Sequence, residues 1–261
     1  MKQYKYFILF VFISSFTNQG LASQKNDTLT ISAANLRYDN IKYGRASYIV
    51  FNKKTKESPA QGIYLVHINV TPVKYKQEPV IEIAQQWDGK DTIIHRANTY
   101  LNAMDYSTRF HQTWWKGLTY TSTFDFDTHN ILIEGNIADS TKQKIDSAFD
   151  ESFNSYNLNW HSDLFIFTRL PYKSNRYFRI RLFDPGFGRP SDEIYFVSGS
   201  ESLMNTSGKK ISCWVMERKG KVADSYQKFW VDKKSKLVLK EEDLFNNRYR
   251  FKIKLEIADP V

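Results

Sequence analysis

The last part of the chain alternates regularly between apolar and charged residues. From Arg248 to Glu256 an apolar residue stands at every second position, and charged residues fill most positions between them. A period of two is typical of a β-strand that has one face against a core and the other in solvent. The apolar residues of this stretch, which we expect on the buried face, are Tyr249, Phe251, Ile253 and Leu255.

The same period extends over most of the chain. The dipeptide Asp88-Gly89 between two such segments is a strong signal for a tight hairpin. The segment 106–126 predicts a second, aromatic-rich hairpin that turns at Lys116-Gly117. Its aromatic side chains fall on one face in each arm: Phe110 and Trp114 before the turn, Tyr120 and Phe124 after it.

One region departs from the period of two. Residues 140–152 are polar and compatible with a helix, and residues 160–170 favour a short buried helix that ends before Pro171. The second segment is also short enough to be a strand. Strands with short connections resume after it and continue to the end of the domain. We therefore predict a mainly β protein: a large curled antiparallel sheet, an unclosed half-barrel built as a β-meander, with one or two short helices over its concave face.

The N-terminus has the layout of a secretory signal peptide. Lys2 and Lys5 precede an apolar run over residues 7–13, and small residues up to Ala22 follow a polar stretch. The apolar run is much shorter than the about 20 residues that span a bilayer as a helix. We therefore expect cleavage after Ala22 and export of the mature chain.

The domain boundaries and the compartment follow from this pattern. We predict a signal peptide over residues 1–22, a polar lead-in over residues 23–45, and a single β domain over residues 46–258. The expected location is the periplasm of a Gram-negative bacterium, in soluble form after cleavage, with secretion as the alternative. The only cysteine, Cys213, cannot form an intramolecular disulfide, and its neighbours in the alternating pattern predict a buried thiol.

The charge of the chain does not indicate a nucleic-acid partner. The formal net charge is +9 at pH 7, and a basic protein can bind nucleic acid or anionic headgroups. The lysines, however, lie in predicted turns such as 53–56 and on the polar faces of strands, where acidic residues are mixed with them. We interpret this charge as solvated surface and expect no nucleic-acid binding. A peripheral contact with a membrane or with another envelope protein stays open.

No motif for catalysis or cofactor binding stands out. The segment Ser198–Ser202 lacks the second glycine of a nucleophile elbow, and neither a P-loop nor a dinucleotide fingerprint occurs. The five histidines stand apart from one another at spacings unlike those of zinc sites, although distant strands can also assemble a site. We therefore expect a protein without a metal or a cofactor and without enzymatic activity.

The apolar face of the sheet is the remaining candidate for function. A few short helices cover only part of a curled sheet, so the uncovered part is expected to form an apolar groove for an acyl chain or another hydrophobic small molecule. The alternative is that the same side chains form a filled core. The residues predicted to line this groove are Phe110, Trp114, Tyr120, Phe124, Phe251 and Ile253. The residues predicted to form a lid over it are Leu164, Phe165 and Phe167.

Several short motifs resemble a known family. The segment 163–173 (DLFIFTRLPYK), the strand that follows at 178–182, and the Trp-x-Asp hairpin at 230–232 look like the DUF3108-type envelope proteins, which are similar in pattern to the LolA/LolB-like superfamily. The resemblance implies a half-barrel covered by helices and carriage of lipid or lipoprotein cargo in the periplasm. The chain has no lipid-modified cysteine of the LolB kind, which favours a soluble carrier.

Two other functions are compatible with the same pattern. A small outer-membrane β-barrel also alternates apolar and polar residues, but the helical region has no place in a lipid-facing wall. A surface glycan-binding module could use exposed aromatic side chains as stacking platforms. The candidates for that role are Trp114, Trp115 and Tyr120.

Overall fold

The strands of the chain belong to one sheet. The computed structural model describes residues 27–220, 222 and 224–255, and within these it contains fifteen strands and two α-helices. The strands are β1 (Asp27–Thr30), β2 (Gly44–Lys53), β3 (Gln61–Tyr75), β4 (Glu78–Asp88), β5 (Ile93–Asn102), β6 (Thr108–Trp115), β7 (Tyr120–Asp125), β8 (Asn130–Gly135), β9 (Leu158–Asn159), β10 (Arg176–Phe183), β11 (Ser191–Met204), β12 (Lys210–Lys219), β13 (Tyr226–Asp232), β14 (Val238–Phe245) and β15 (Arg248–Lys254). The helices are α1 (Asp139–Ser152) and α2 (Asp163–Phe167).

The sheet is a meander in two halves. Strands β2 to β8 pair with their neighbours in chain order, as do β10 to β15, and β15 pairs with β2 to join the halves. These pairs are antiparallel, whereas β1 and β9 pair with β10 in parallel. The edges are β1, which lies within the polar lead-in 23–45, and β8, so the sheet does not close. The predicted fold class is confirmed.

The short helix α2 fills the concave side of the curled sheet. Side chains from both halves of the sheet pack with it in one core, including Val66 of β3 and Phe178 of β10. Four consecutive residues of α2, from Leu164 to Phe167, are buried, because the helix is surrounded by the sheet and has no solvent-facing side. We call this side of the sheet the inner face and the opposite side the outer face.

The longer helix α1 covers a smaller, separate part of the inner face. Its buried residues Ile145 and Phe149 pack against Phe124 of β7 and Phe183 at the end of β10. The ring centroids of Phe124 and Phe149 are 5.4 Å apart. The helix therefore bridges the region between β7 and β10, where the two halves of the sheet are not hydrogen-bonded to each other.

The turn between β14 and β15 fixes the register of these two strands. Asn246 and Asn247 both have positive φ angles, of 50° and 55°, as a two-residue type I′ hairpin requires. This turn sets Glu241 opposite Lys252 and Asp243 opposite Arg250. Since directly opposed residues lie on the same face, two acids of β14 face two bases of β15.

The prediction for the faces of β15 was wrong. Lys252 lies opposite Val50, which belongs to the main core, so the charged side of β15 is the inner one. Phe251 lies on the outer face, where its ring stacks on Phe51 at 5.3 Å, and Ile253 is 36% exposed. Alternation separates the two faces of a strand but does not tell which one curls inward. Here the opposed acids of β14 compensate the inward-facing bases.

The thiol of Cys213 is fully buried, as predicted, in a small outer-face cluster with Val215 and Trp230. Burial raises the pKa of this thiol to about 11, which keeps it protonated.

No helix in the described part of the chain has the length and apolar character needed to cross a membrane. The predicted signal peptide, residues 1–22, lies outside the described residues.

Candidate functional site

A large cleft opens at one end of the curled sheet. It has a volume of about 1140 Å³ and lies between the segment after β10, the β12–β13 connection and the turn after β14. Two aromatic side chains at this cleft are unusually exposed: Phe187 at 48% and Phe245 at 59%. Exposed apolar side chains around a concave surface are typical of a binding site.

A smaller cavity continues from the cleft toward the core. We call it the inner pocket; its volume is about 220 Å³, and it reaches Leu164 of α2 and Ile68 of β3. The cleft and the inner pocket share wall residues, so they are adjacent. The shared residues are Trp160, Asp184, Phe187, Gln227 and Arg250.

Four charged side chains of β14 and β15 form a buried network beside the inner pocket. Arg250 donates to Glu241 at 2.7 Å and also pairs with Asp243, while the Nζ atom of Lys252 lies 2.6 Å from the second oxygen of Glu241. Burial works against the charge of Glu241, yet Lys252 and Arg250 hold its pKa below the ordinary value. Burial and the charge of Glu241 raise the pKa of Asp243 to about 7, so Glu241 is the acid of the network that stays ionised opposite the two bases.

Two further carboxyl groups line the inner pocket without such partners. Among the described residues, neither Asp163 nor Asp184 forms an ion pair with a lysine or an arginine. The Oδ1 atom of Asp184 lies 3.5 Å from Nδ1 of His161, and burial lowers the pKa of this histidine, which keeps the ring neutral. Burial raises the pKa of Asp163 to about 6. Burial and the nearby charge of Asp163 raise the pKa of Asp184 to about 7.

Three histidines that are far apart in the chain meet behind the inner pocket. The ring of His161 lies 5.3 Å from that of His95 and 4.7 Å from that of His111. Burial lowers the pKa of His95 to about 4 and that of His111 to about 3, so both rings are neutral at pH 7. No three His, Cys, Asp or Glu side chains of the described residues are placed to hold a metal ion.

Aromatic rings form a corner in the wall of the inner pocket. Trp115 is nearly perpendicular to Trp87, with centroids 5.0 Å apart, and nearly perpendicular to Phe187, at 6.3 Å. The other face of Trp115 stacks on His95 at 3.8 Å, which holds the indole ring in place. The pocket thus combines aromatic faces with carboxyl groups.

The predicted groove residues do not lie together on one surface. Tyr120 and Phe124 are on the inner face under α1, with Phe124 fully buried. Phe110 packs on the outer face against Tyr100, and Trp114 lines a separate outer-face depression of about 1020 Å³. Phe251 and Ile253 of β15 also lie on the outer face, so the six predicted side chains are distributed over both faces of the sheet. The three predicted lid residues, Leu164, Phe165 and Phe167, lie in the main core.

The residues of the inner pocket were not predicted from the sequence, because they are polar. The charged side of β15 was interpreted as solvent-facing, and no role was predicted for Asp184, for His161 or for the acids of β14. A signal for the network was present: the acidic run 241–243 and the alternating bases of 248–252 flank the two-residue turn at Asn246-Asn247. Cross-strand pairing of opposite charges across such a turn is a recognisable pattern.

The fold and the cleft define a class of protein: an open, curled antiparallel sheet with a cavity at one end. Within it, the chain belongs to the family described as "Protein of unknown function (DUF3108)", whose model matches residues 58–255. The predicted family is thus confirmed, whereas the wider LolA/LolB-like superfamily is not and stays a prediction. The description of the family names no activity.

No curated protein matches the chain. A similar solved structure is the crystal structure of a beta-barrel-like protein of domain of unknown function DUF1849 from Brucella abortus. It shares 9% sequence identity over 83% of this chain and 99% of that chain, with a TM-score of 0.38, and at this level it carries no argument about function.

Proposed function

We propose that this chain is an exported, non-enzymatic binding protein that takes an amphiphilic ligand, such as an acyl chain with a polar head, in the cleft at the end of the sheet. The observation that carries the proposal is the exposure of Phe187 and Phe245 at the wall of a cavity of about 1140 Å³. A cavity of this size is comparable to the pockets that enclose small ligands, which are about 300–1,000 Å³.

The position of α2 decides where the apolar part of such a ligand lies. Because α2 fills the concave side of the sheet, an acyl chain has no room along the core and is placed in the cleft, against the exposed rings and Leu244. The polar wall of the inner pocket is then available to the head of the ligand. This differs from the groove expected from the sequence, although the class of ligand is the same.

A neutral apolar probe tests the proposal directly. We expect N-phenyl-1-naphthylamine to gain fluorescence when it binds the mature chain, and Phe187→Asp and Phe245→Asp each to weaken binding at least about tenfold. A buried phenyl side chain contributes about 1.5–3 kcal/mol of apolar burial, which corresponds to a change of about tenfold or more in the dissociation constant. The measurement is a fluorescence titration of each folded variant.

The matched control introduces the same charge outside the cleft. Met104 lies in the β5–β6 connection, is 77% exposed and is not part of the cleft wall. Met104→Asp is therefore expected to leave probe binding unchanged. Equal weakening by all three substitutions, or no binding by the unmodified chain, would contradict the proposal.

A further inference from the structure

The charges around the inner pocket are not evenly matched. The bases that reach it, Arg250 and Lys252, are both held by Glu241 at 2.6–2.7 Å, and Arg250 also pairs with Asp243. Asp163 and Asp184 are carboxyl groups of the same wall to which the described residues offer no lysine or arginine partner. Lys252 and Arg250 act on Asp163 only at longer range, so these two carboxyl groups are the charged groups of the wall that no base contacts directly.

One buried polar group of the wall also lacks a hydrogen-bond partner. His161 is 9% exposed, and its Nδ1 atom has no hydrogen bond. The Oδ1 atom of Asp184, 3.5 Å away, has none either. Buried polar atoms are nearly always satisfied in folded proteins, so two unsatisfied atoms at one cavity indicate a group that the pocket is shaped to receive.

The aromatic corner has the geometry that attracts a cation. The ring of Trp115 is at 78° to that of Trp87 and at 82° to that of Phe187, and all three side chains line the inner pocket. A cation over an aromatic face is attracted by the ring quadrupole, and several faces together recognise alkylated ammonium groups. A carboxylate at the same cavity adds charge attraction.

We infer that the inner pocket binds a cationic amine group, a primary or quaternary ammonium, through Asp184, Asp163 and the aromatic corner. This deepens the proposed function, on which it rests, by naming the head of the amphiphile. The pocket volume of about 220 Å³ suits a small head, and the apolar part of the ligand then extends into the cleft. Both nearby bases already contact Glu241, whereas no base contacts Asp163 or Asp184 directly.

Binding of a cation is expected to strengthen as pH rises. The groups facing Asp184 are His161, Asp163 and the β14–β15 network, and burial keeps the pKa of His161 well below its usual range, so this ring adds no positive charge. Burial raises the pKa of Asp184 to about 7, so its carboxyl group is mostly protonated at pH 5 and mostly ionised at pH 8. Only the ionised form attracts the ligand by charge.

The experiment compares choline with its uncharged isostere, 3,3-dimethylbutan-1-ol, by calorimetric titration of the mature chain. We expect choline to bind at pH 8 at least about tenfold more tightly than the isostere, and to bind more weakly at pH 5. Asp184→Asn and Asp163→Asn are each expected to weaken choline binding several-fold. Asp139→Asn removes the same charge from an exposed position of α1 and is expected to have no effect.

The outcomes separate this inference from the proposed function. Equal affinity for choline and the isostere, no choline binding, or binding of inorganic phosphate in place of choline overturns the cation site. If the naphthylamine probe still binds in that case, the proposed function stands without it. The isostere and pH comparisons use the unmodified chain, so the test does not depend on the folding of the variants.

Discussion

Glu241→Gln is expected to destabilise the protein by about 3–5 kcal/mol, because it removes the acid that compensates the buried Lys252 and the partly buried Arg250. Arg250 and Lys252 both pair with Glu241, which is 2% exposed, and the neutral amide cannot replace its charge. Breaking a buried ion pair on one side leaves an uncompensated charge in a medium of low polarity, which costs about this much. The midpoint of thermal unfolding should fall by on the order of 10 °C.

The control for this prediction is Glu134→Gln on the edge strand β8. Glu134 is exposed, and substitutions at such sites usually change the free energy of unfolding by less than about 0.5 kcal/mol. Urea unfolding at pH 7 measures both variants. A loss below about 1 kcal/mol for Glu241→Gln would contradict the inward orientation of the charged side of β15.

Phe167→Ala is also expected to cost about 3–5 kcal/mol, since α2 is part of the core. The side chain of Phe167 is fully buried, and its ring packs on Phe229 and Tyr195 at centroid distances of 4.9 and 5.2 Å. Removing it leaves a cavity enclosed by rings on several strands, which cannot close around the smaller side chain. The free energy of unfolding from urea denaturation measures the effect.

A movable lid would give a different result. If α2 opened readily to admit a ligand, truncation of Phe167 would cost little stability and would mainly change ligand binding. The matched control is Phe245→Ala, which makes the same truncation at a side chain that is 59% exposed and is expected to cost less than about 0.5 kcal/mol. Similar values for the two variants would contradict the placement of α2 in the core.

Much of the fold was predictable from the sequence because strand periodicity is local. The alternation in β15, the hairpin at Asp88-Gly89 and the break of the pattern between β8 and β10 each predict structure without knowledge of distant residues. The orientation of β15 could not be obtained in this way. Exchanging the two faces of a strand leaves its alternation unchanged, and the face that turns inward depends on β14 and β2, with which β15 pairs.

The site was less predictable, because its residues come together only through the tertiary fold. Asp184 follows β10, Trp115 ends β6, and the three neighbouring histidines are separated by up to 66 positions in the chain. No motif connects such residues. Polar residues on an inner face also have the pattern of a solvent-facing side, so the reasoning that identified β15 assigned its charged side, with Arg250 and Lys252, to the surface.

The most direct measurement of the central claim is native mass spectrometry of the chain from Ser23 onward, purified without detergent from a bacterial periplasm and then incubated with a lipid extract of the same cells. The cleft predicts a bound amphiphile of defined mass on the unmodified chain and on Met104→Asp, and its loss from the double variant Phe187→Asp with Phe245→Asp. A homogeneous mass without ligand for the unmodified chain, or retention of the ligand by the double variant, would contradict binding in the cleft.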